Sequence, residues 1–363
     1  MEFSLVATRN TSVLFKMMYM AIFTSGYLQR TIIRCFFRKG FFMAVIGIDL
    51  GGTKSAAAIF DESGQIIHRN ISPLDKRTGG EVGKLILNQI ASLRQYAAEK
   101  REDIRAIGVS VPGIYYATTG KVWAPNIPDW TDYPLLYELT SNLNDSSIRI
   151  KIDSDRAAYI LGETWQGCAK GCRNAIFVAV GTGIGAGILI DGKILRGSRD
   201  IAGATGWMAL DKPFRQEYVS CGCFEYHASG EGIGKVAREL LIKNPDYSGV
   251  LRQKPIDEIK SYDVIVAYSS GDPIAKQTID SAIEFWGMAV ANYVSLFNPE
   301  KIIFGGGVFG PAAQFIDRIR AEALKWAQPI SIHQVCIEAS ILGGDAGLIG
   351  AGRLAQLEIE SDN

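Results

Sequence analysis

Three glycine-rich stretches each close an apolar run: Asp49-Leu50-Gly51-Gly52-Thr53-Lys54, Gly181-Thr182-Gly183-Ile184-Gly185 and Gly305-Gly306-Gly307. Glycine lets the backbone approach a phosphate closely, and the unpaired amides of such turns are anion donors. Gly51, Gly52, Thr53, Lys54, Gly181, Thr182, Gly183, Gly305, Gly306 and Gly307 are therefore candidate phosphate contacts. Asp49, at the end of the first run, supplies the carboxylate that holds a hydrated Mg²⁺ against phosphate oxygens, since Mg²⁺ keeps several of its waters. None of the three fits the phosphate loop ending in Gly-Lys-Ser/Thr or the dinucleotide fingerprint opening a helix. A second constellation, Asp153-Ser154-Asp155, stands where a short strand (148–152) gives way to a helix (156–164). Moving a phosphoryl group to a hydroxyl needs a base within hydrogen-bond reach and help for the phosphate charge. A carboxylate at a strand-to-helix turn meets the first need, although either Asp also suits a helix cap.

These groups must be positioned by alternating strands and helices. Strand patterns at 44–50, 55–60 and 65–69 precede a helix at 81–100, whose apolar Val82, Leu85, Ile86, Ile90, Leu93 and Ala97 recur at helical spacing, and a buried strand at 106–111. Strand 175–180, its glycine turn, strand 187–190, Asp191-Gly192 and 193–195 repeat the opening layout with an offset of 130 residues from Gly51 to Gly181. Asp272-Pro273 predicts a helix start and Asn298-Pro299 its end; strand 301–304 and a last helix at 346–357 follow. The class is α/β, as a duplicated domain around a cleft.

Composition narrows the partners. Of 363 residues 47% are hydrophobic and 21% charged, with 38 basic and 38 acidic, an ordinary globular balance. Residues 1–42 hold six of the basic and one of the acidic residues, so the remainder is mildly acidic and offers no electrostatic footprint for nucleic acid. Six irregularly spaced cysteines are no disulfide framework, which points to a reducing, cytoplasmic compartment. No apolar stretch reaches the length of a membrane span. The first 42 residues carry seven of the sixteen Phe and four of the seven Met. Lys16 and the apolar run Met17–Phe23 faintly resemble the start of a signal peptide, but Arg30 and Arg34 follow where a cleavage site would stand. A basic organelle-targeting segment is the other functional reading. The favoured expectation is that 1–42 stands outside the fold and that Met43 is the true start.

Ile48-Asp49-Leu50-Gly51-Gly52-Thr53-Lys54 resembles the first phosphate motif of the ROK family of sugar kinases and repressors. The resemblance continues through Val111-Pro112-Gly113, Ala124-Pro125-Asn126-Ile127-Pro128-Asp129-Trp130, Asp153-Ser154-Asp155, Gly181–Gly187, Gly222–Gly230 and Asn298–Gly307. It implies an actin-like (ribonuclease H-like) ATPase fold: 43–165 as one lobe, rejoined by 343–359 as a C-terminal helix, and 166–342 as the other. By the same resemblance Asp155 matches the catalytic aspartate, and Asn126, in a loop stiffened by two prolines, a sugar-binding asparagine. Glu225 matches a glutamate that reaches the sugar from the second lobe. Asp153 is expected to be structural. ATP and Mg²⁺ are the implied cofactors, and a homodimer or homotetramer the implied assembly.

The family pattern breaks at three places. Where it has Glu-x-Gly-His, this chain has Ala204-Thr205-Gly206-Trp207, and its cysteine cluster shrinks to Cys221-Gly222-Cys223. Structural zinc wants four ligands, so zinc is not expected, even with His227 or the Cys168/Cys172 pair to draw on. Cys168 and Cys172 read as packing residues. Ser154 stands where the family has asparagine. A buried Trp207 would offer the acceptor an apolar platform and one N–H donor, with Ser154 beside it. The reading is ATP-dependent phosphorylation of a hydroxyl on a sugar or sugar-like substrate by a glucokinase/hexokinase-type kinase, the substrate being not simply glucose held in the usual way but a modified or amino sugar, a cyclitol or a weakly held hexose. The alternative is a non-catalytic sugar-binding regulator, either a repressor or an inactive kinase.

Overall fold

The computed structural model describes residues 42–360. The expectations for residues 1–41, whether leader, targeting segment or upstream sequence, fall outside the described residues.

Two five-stranded sheets are built to one plan. The first has strand order β3-β2-β1-β4-β7, from β1 (Phe42–Leu50), β2 (Lys54–Asp61), β3 (Ile66–Pro73), β4 (Glu102–Val111) and β7 (Arg149–Ser154). The second repeats it as β10-β9-β8-β11-β12, from β8 (Ala175–Val180), β9 (Ile184–Ile190), β10 (Lys193–Ile194), β11 (Lys301–Gly305) and β12 (Cys336–Ala339). In each, the first three strands form an antiparallel meander and the last two join in parallel. A small hairpin, β5 (Ile114–Tyr116) and β6 (Lys121–Trp123), projects from the first half.

Helix α1 (Gly79–Lys100) covers one face of the first sheet with the apolar stripe read from sequence: Val82, Ile86, Ile90, Leu93 and Ala97 are all buried. Helix α2 (Leu135–Leu143) sits beside it. The other face carries α9 (Ala346–Glu360), which also packs against α3 (Asp155–Gln166). Small residues make that approach possible: a side chain at Gly108 would strike the Ala351 carbonyl, and one at Gly350 the Ala158 carbonyl. Helix α3 reaches β8 and β9 as well, and so joins the two sheets.

The second half is helix-rich: α4 (Cys223–Ala228), α5 (Gly230–Lys243), α6 (Ser261–Ser269), α7 (Pro273–Phe297) and α8 (Ile316–Trp326). Helix α7 begins as the Asp-Pro pair predicts, with Asp272 accepting the amides of Ile274 and Ala275 at 3.0 Å each. Its buried Trp286 donates to the Ala228 carbonyl at 3.1 Å. Around it gathers a continuous core including Phe304, Phe309 and Phe315.

Candidate active site

The register of the first sheet assembles the carboxylates. Asp49 on β1 stands opposite Ser110 on β4, and Ser110 opposite Asp153 on β7, so three strand ends line up in one row. Ligands of sheets with parallel strands gather at such carboxyl ends. Ser110 Oγ donates to Asp49 Oδ1 at 2.8 Å. Gly347, in the first turn of α9, lies beneath the same carboxylate: a Cβ there would stand 2.6 Å from Asp49 Oδ2. Burial pushes the Asp49 carboxyl above its ordinary range, while Ser110 and Lys54 pull it down and Asp345 adds to the rise. An incompletely compensated carboxylate beside an exposed glycine turn suits a hydrated divalent cation.

Asp155 is the first residue of α3. Its Oδ1 accepts the Arg156 amide at 2.8 Å, and Ser154 caps the helix by accepting the Ala157 amide at 3.3 Å. Burial pushes Asp155 up to about 6; the Arg156 charge pulls it down and the Asp49 charge pushes it up. The two carboxylates thus share one electrostatic environment. Asp153 is turned away from that role by an ion pair with Arg196 from the second half. Burial raises the Asp153 carboxyl and the guanidinium opposes it. Nearby, the Ala117 amide donates to Asp200 Oδ2 at 3.1 Å, a second contact between the halves.

Asn126 is exposed, beside the first turn: a Cβ at Gly52 would stand 3.4 Å from Asn126 Cβ. Lys54 is exposed at the start of β2, and Thr53 accepts the Leu74 amide through its carbonyl at 2.8 Å. Glu225, on α4, lies under the second turn. Its Oε2 accepts the Ile184 amide at 2.7 Å and would be 2.5 Å from a Cβ at Gly183 and 3.0 Å from one at Gly206. Burial raises the Glu225 carboxyl, against the Ile184 amide and the Lys235 charge.

The second and third turns flank a cavity of about 610 Å³. Gly181, Thr182, Gly307 and Val308 line it with Lys260 and Tyr262. Helix α5 is docked on the second turn, the Gly230 amide donating to the Gly181 carbonyl at 2.8 Å. The next two amides of the helix are also taken, that of Glu231 by the Thr182 carbonyl at 3.4 Å and that of Gly232 by the Ser229 hydroxyl at 2.9 Å. The three glycines of the third turn divide by role. Gly305 has no room for a side chain against Phe177; Gly306 has φ +89° and would drive a Cβ to within 2.6 Å of the Val180 carbonyl; Gly307 is open to the cavity. Lys260 and Tyr262 were not singled out from sequence, because a Lys-Ser-Tyr segment carries no spacing that marks a ligand. Arg156 and Arg196 were missed for the same reason.

Two expectations are corrected. Trp207 is not a buried platform: it is 57% exposed, because its short 3₁₀ turn (Thr205–Trp207) leaves the indole on the outer side while Gly206 faces Glu225. Strand β9 begins at Ile184, three residues earlier than expected, since the second turn spans fewer residues than its glycines suggest. The cysteine remnant gathers no metal set; the described residues hold no group of three His, Cys, Asp or Glu placed for an ion. His227 instead meets the Tyr218 hydroxyl at 2.7 Å and stacks on Phe285. Cys168 and Cys172 pack beside Ile160 and Phe177.

Two copies of this sheet plan, strand-end carboxylates on one and glycine turns around a cavity on the other, define the actin-like ATPase fold. The chain belongs to the ROK family, whose sequence pattern matches residues 45–358. It is 30% identical over 328 residues to a glucokinase of Halalkalibacterium halodurans, covering 87% of this chain and 96% of that one. It is 29% identical over 312 residues to a xylose repressor of Caldicellulosiruptor bescii, covering 85% and 76%. The structure superposes on that of a ROK glucokinase from Streptomyces griseus, determined with glucose and AMPPNP, with TM-score 0.67, 28% identity, and 86% and 99% of the two chains covered.

Proposed function

We propose that this chain is an ATP-dependent carbohydrate kinase that moves the γ-phosphoryl group of ATP to a hydroxyl of a sugar or polyol. The observation that carries the reading is the placement of Asp155 as the first residue of α3, directly after the strand end that lines up with Asp49 and Ser110, where burial also raises its carboxyl to about 6. In this reading ATP takes the cavity of about 610 Å³, with its phosphates toward Gly181–Gly183, Gly305–Gly307 and Gly51–Lys54. Asp49 holds Mg²⁺ through water, and the ion supplies neutralisation of phosphate charge when bound. Asn126, Ser154 and Glu225 orient the acceptor, and Trp207 reaches it only from the rim. Asp155 accepts the proton of the acceptor hydroxyl as that oxygen bonds to the γ-phosphorus; the bond to the β–γ bridging oxygen breaks and ADP leaves. Residues 43–165 with 343–359 act as one lobe and 166–342 as the other, joined through α3, so that closure excludes water. A reducing, cytoplasmic setting and a homodimer or homotetramer complete the proposal; among the described residues no helix is long and apolar enough to cross a membrane.

The test is ADP release with ATP and Mg²⁺ across neutral hexoses, amino sugars and cyclitols. Asp155→Asn is expected to lose roughly 10²- to 10⁴-fold in turnover while still binding nucleotide. Nucleotide binding without turnover on any acceptor would favour the regulator instead, whereas full activity in Asp155→Asn would refute Asp155 as the base and leave the kinase standing.

A further inference from the structure

Gly183, just before β9, and Gly185 and Gly187 within it stand two residues apart, so one face of the chain is bare there. Different groups fill the strip. Glu225 Oε2 lies over Gly183, 2.5 Å from where a Cβ would stand. Arg156 Cδ lies over Gly185, 2.8 Å from the corresponding point, and the Gly203 carbonyl closes on that point from 3.6 Å. The Arg156 backbone carbonyl and Ile160 cover Gly187. The strip therefore seats a carboxylate and a guanidinium stem side by side, next to Asp155 and against the start of the Gly203–Trp207 segment.

The partners of these groups differ. Glu225 is bound to the Ile184 amide, Asp155 to the Arg156 amide, and Arg196 is neutralised by Asp153. The Arg156 guanidinium enters no ion pair and no side-chain hydrogen bond among the described residues, although it is half-buried. Its charge does act on Asp155, holding that carboxyl down against burial. Asp153 and Asp200 line a small cavity with Arg156, but the first is paired with Arg196 and the second accepts the Ala117 amide, and the segment that begins at Gly203, Gly203-Ala204-Thr205-Gly206-Trp207, contains no acidic side chain. A guanidinium that is partly dehydrated and unpaired is poised for an anion, and its planar fork matches a carboxylate through two parallel hydrogen bonds.

We propose that the acceptor is a polyhydroxy carboxylate, a sugar acid whose carboxylate lies on Arg156 while one of its hydroxyls lies on Asp155. The inference rests on the kinase reading above and names its substrate class. Arg156 selects the acid over the neutral sugar of the same skeleton.

The experiment compares matched pairs, glucuronate against glucose and gluconate against sorbitol, with glucose 6-phosphate as a tetrahedral anion. ADP release is followed with ATP and Mg²⁺ in the full chain, in Arg156→Gln and in Arg156→Lys. The expected result is that the wild type prefers an acid to its neutral partner by tenfold or more. The acid-to-neutral ratio of kcat/KM then falls on the order of 10- to 100-fold in Arg156→Gln. Arg156→Lys falls between, because lysine offers a point charge without the fork. Preference for the neutral partners, or an equal loss on acid and neutral in Arg156→Gln, overturns the inference and leaves the kinase standing. Preference for the phosphate ester over both acids also overturns it. Absence of ADP release with every compound refutes the kinase reading, and the inference falls with it.

Discussion

If Asp155 is the base, transfer must follow its ionisation. Burial pushes its carboxyl up to about 6 from an ordinary 3.8, against the pull of Arg156 and with the push of Asp49. A general base works only when deprotonated, and kcat/KM reports its state in the free enzyme. At pH 5 a carboxyl titrating near 6 is about one-tenth ionised, whereas one near 3.8 is more than about nine-tenths ionised. The structure therefore predicts roughly a tenfold fall in kcat/KM between pH 7 and pH 5. The assay is coupled ADP release with saturating Mg-ATP and a neutral polyol, which adds no titrating group of its own. Arg156→Gln removes the cation that holds Asp155 down, so the acid limb moves to higher pH. Stability follows the same shift with the opposite benefit. The folded carboxyl lies above its unfolded value, so the folded state binds the extra proton between about 3.8 and 6 and loses stability as pH rises through that window. Asp155→Asn removes that cost and is expected to be more stable at pH 7 by about 1 kcal/mol, after discount for solvent contact and for the lost charge at the start of α3. A pH profile flat down to 5, or a limb that Arg156→Gln leaves in place, would refute the assignment of Asp155 as base.

Gly347→Ala drives a methyl to 2.6 Å from Asp49 Oδ2. It should weaken Mg-nucleotide binding at least tenfold by calorimetry and cost roughly 1–3 kcal/mol of stability. Gly344→Ala, with nothing within 4 Å, is its control and should do neither. Arg196→Ala leaves Asp153 buried without its cation. Because Arg196 is about one-third exposed, the loss should be roughly 1–3 kcal/mol by urea unfolding at pH 7, and should shrink as the pH falls and the raised Asp153 carboxyl takes up a proton. Elemental analysis is expected to find no stoichiometric zinc, and chelation with Mg²⁺ restored should leave the melting temperature unchanged; one tightly held zinc per chain would refute this.

Much of the architecture was written in local pattern. The strand at 175–180 and the helix ending at 297 fall where an apolar run before a glycine turn, the Asp-Pro start and the Asn-Pro stop place them. The duplicated layout read from Gly51 and Gly181 reappears as two sheets with the same strand order. The helices at 135–143, 230–243, 261–269 and 316–326 were not assigned from sequence, nor was the strand at 336–339. The C-terminal helix was foreseen, but its grip on β1, β4 and α3 rests on Gly108, Gly162 and Gly350, which in sequence look like ordinary glycines.

The site divides in the same way. Asp49, Asp155 and the glycine turns stand out in the sequence as candidates because strand ends, turns and carboxylates are short-range signals, carried by neighbours in the chain. The partners of those groups do not. That Ser110 lies opposite Asp49, that Gly347 lies under it, that Arg196 neutralises Asp153 and that Trp207 faces outward depend on register and on helix packing between residues tens to hundreds of positions apart. A side chain's type limits what chemistry it can do. Its charge state and its freedom to act are set by burial and by whatever the fold brings against it, which is why Arg156 stands out only once the chain is folded.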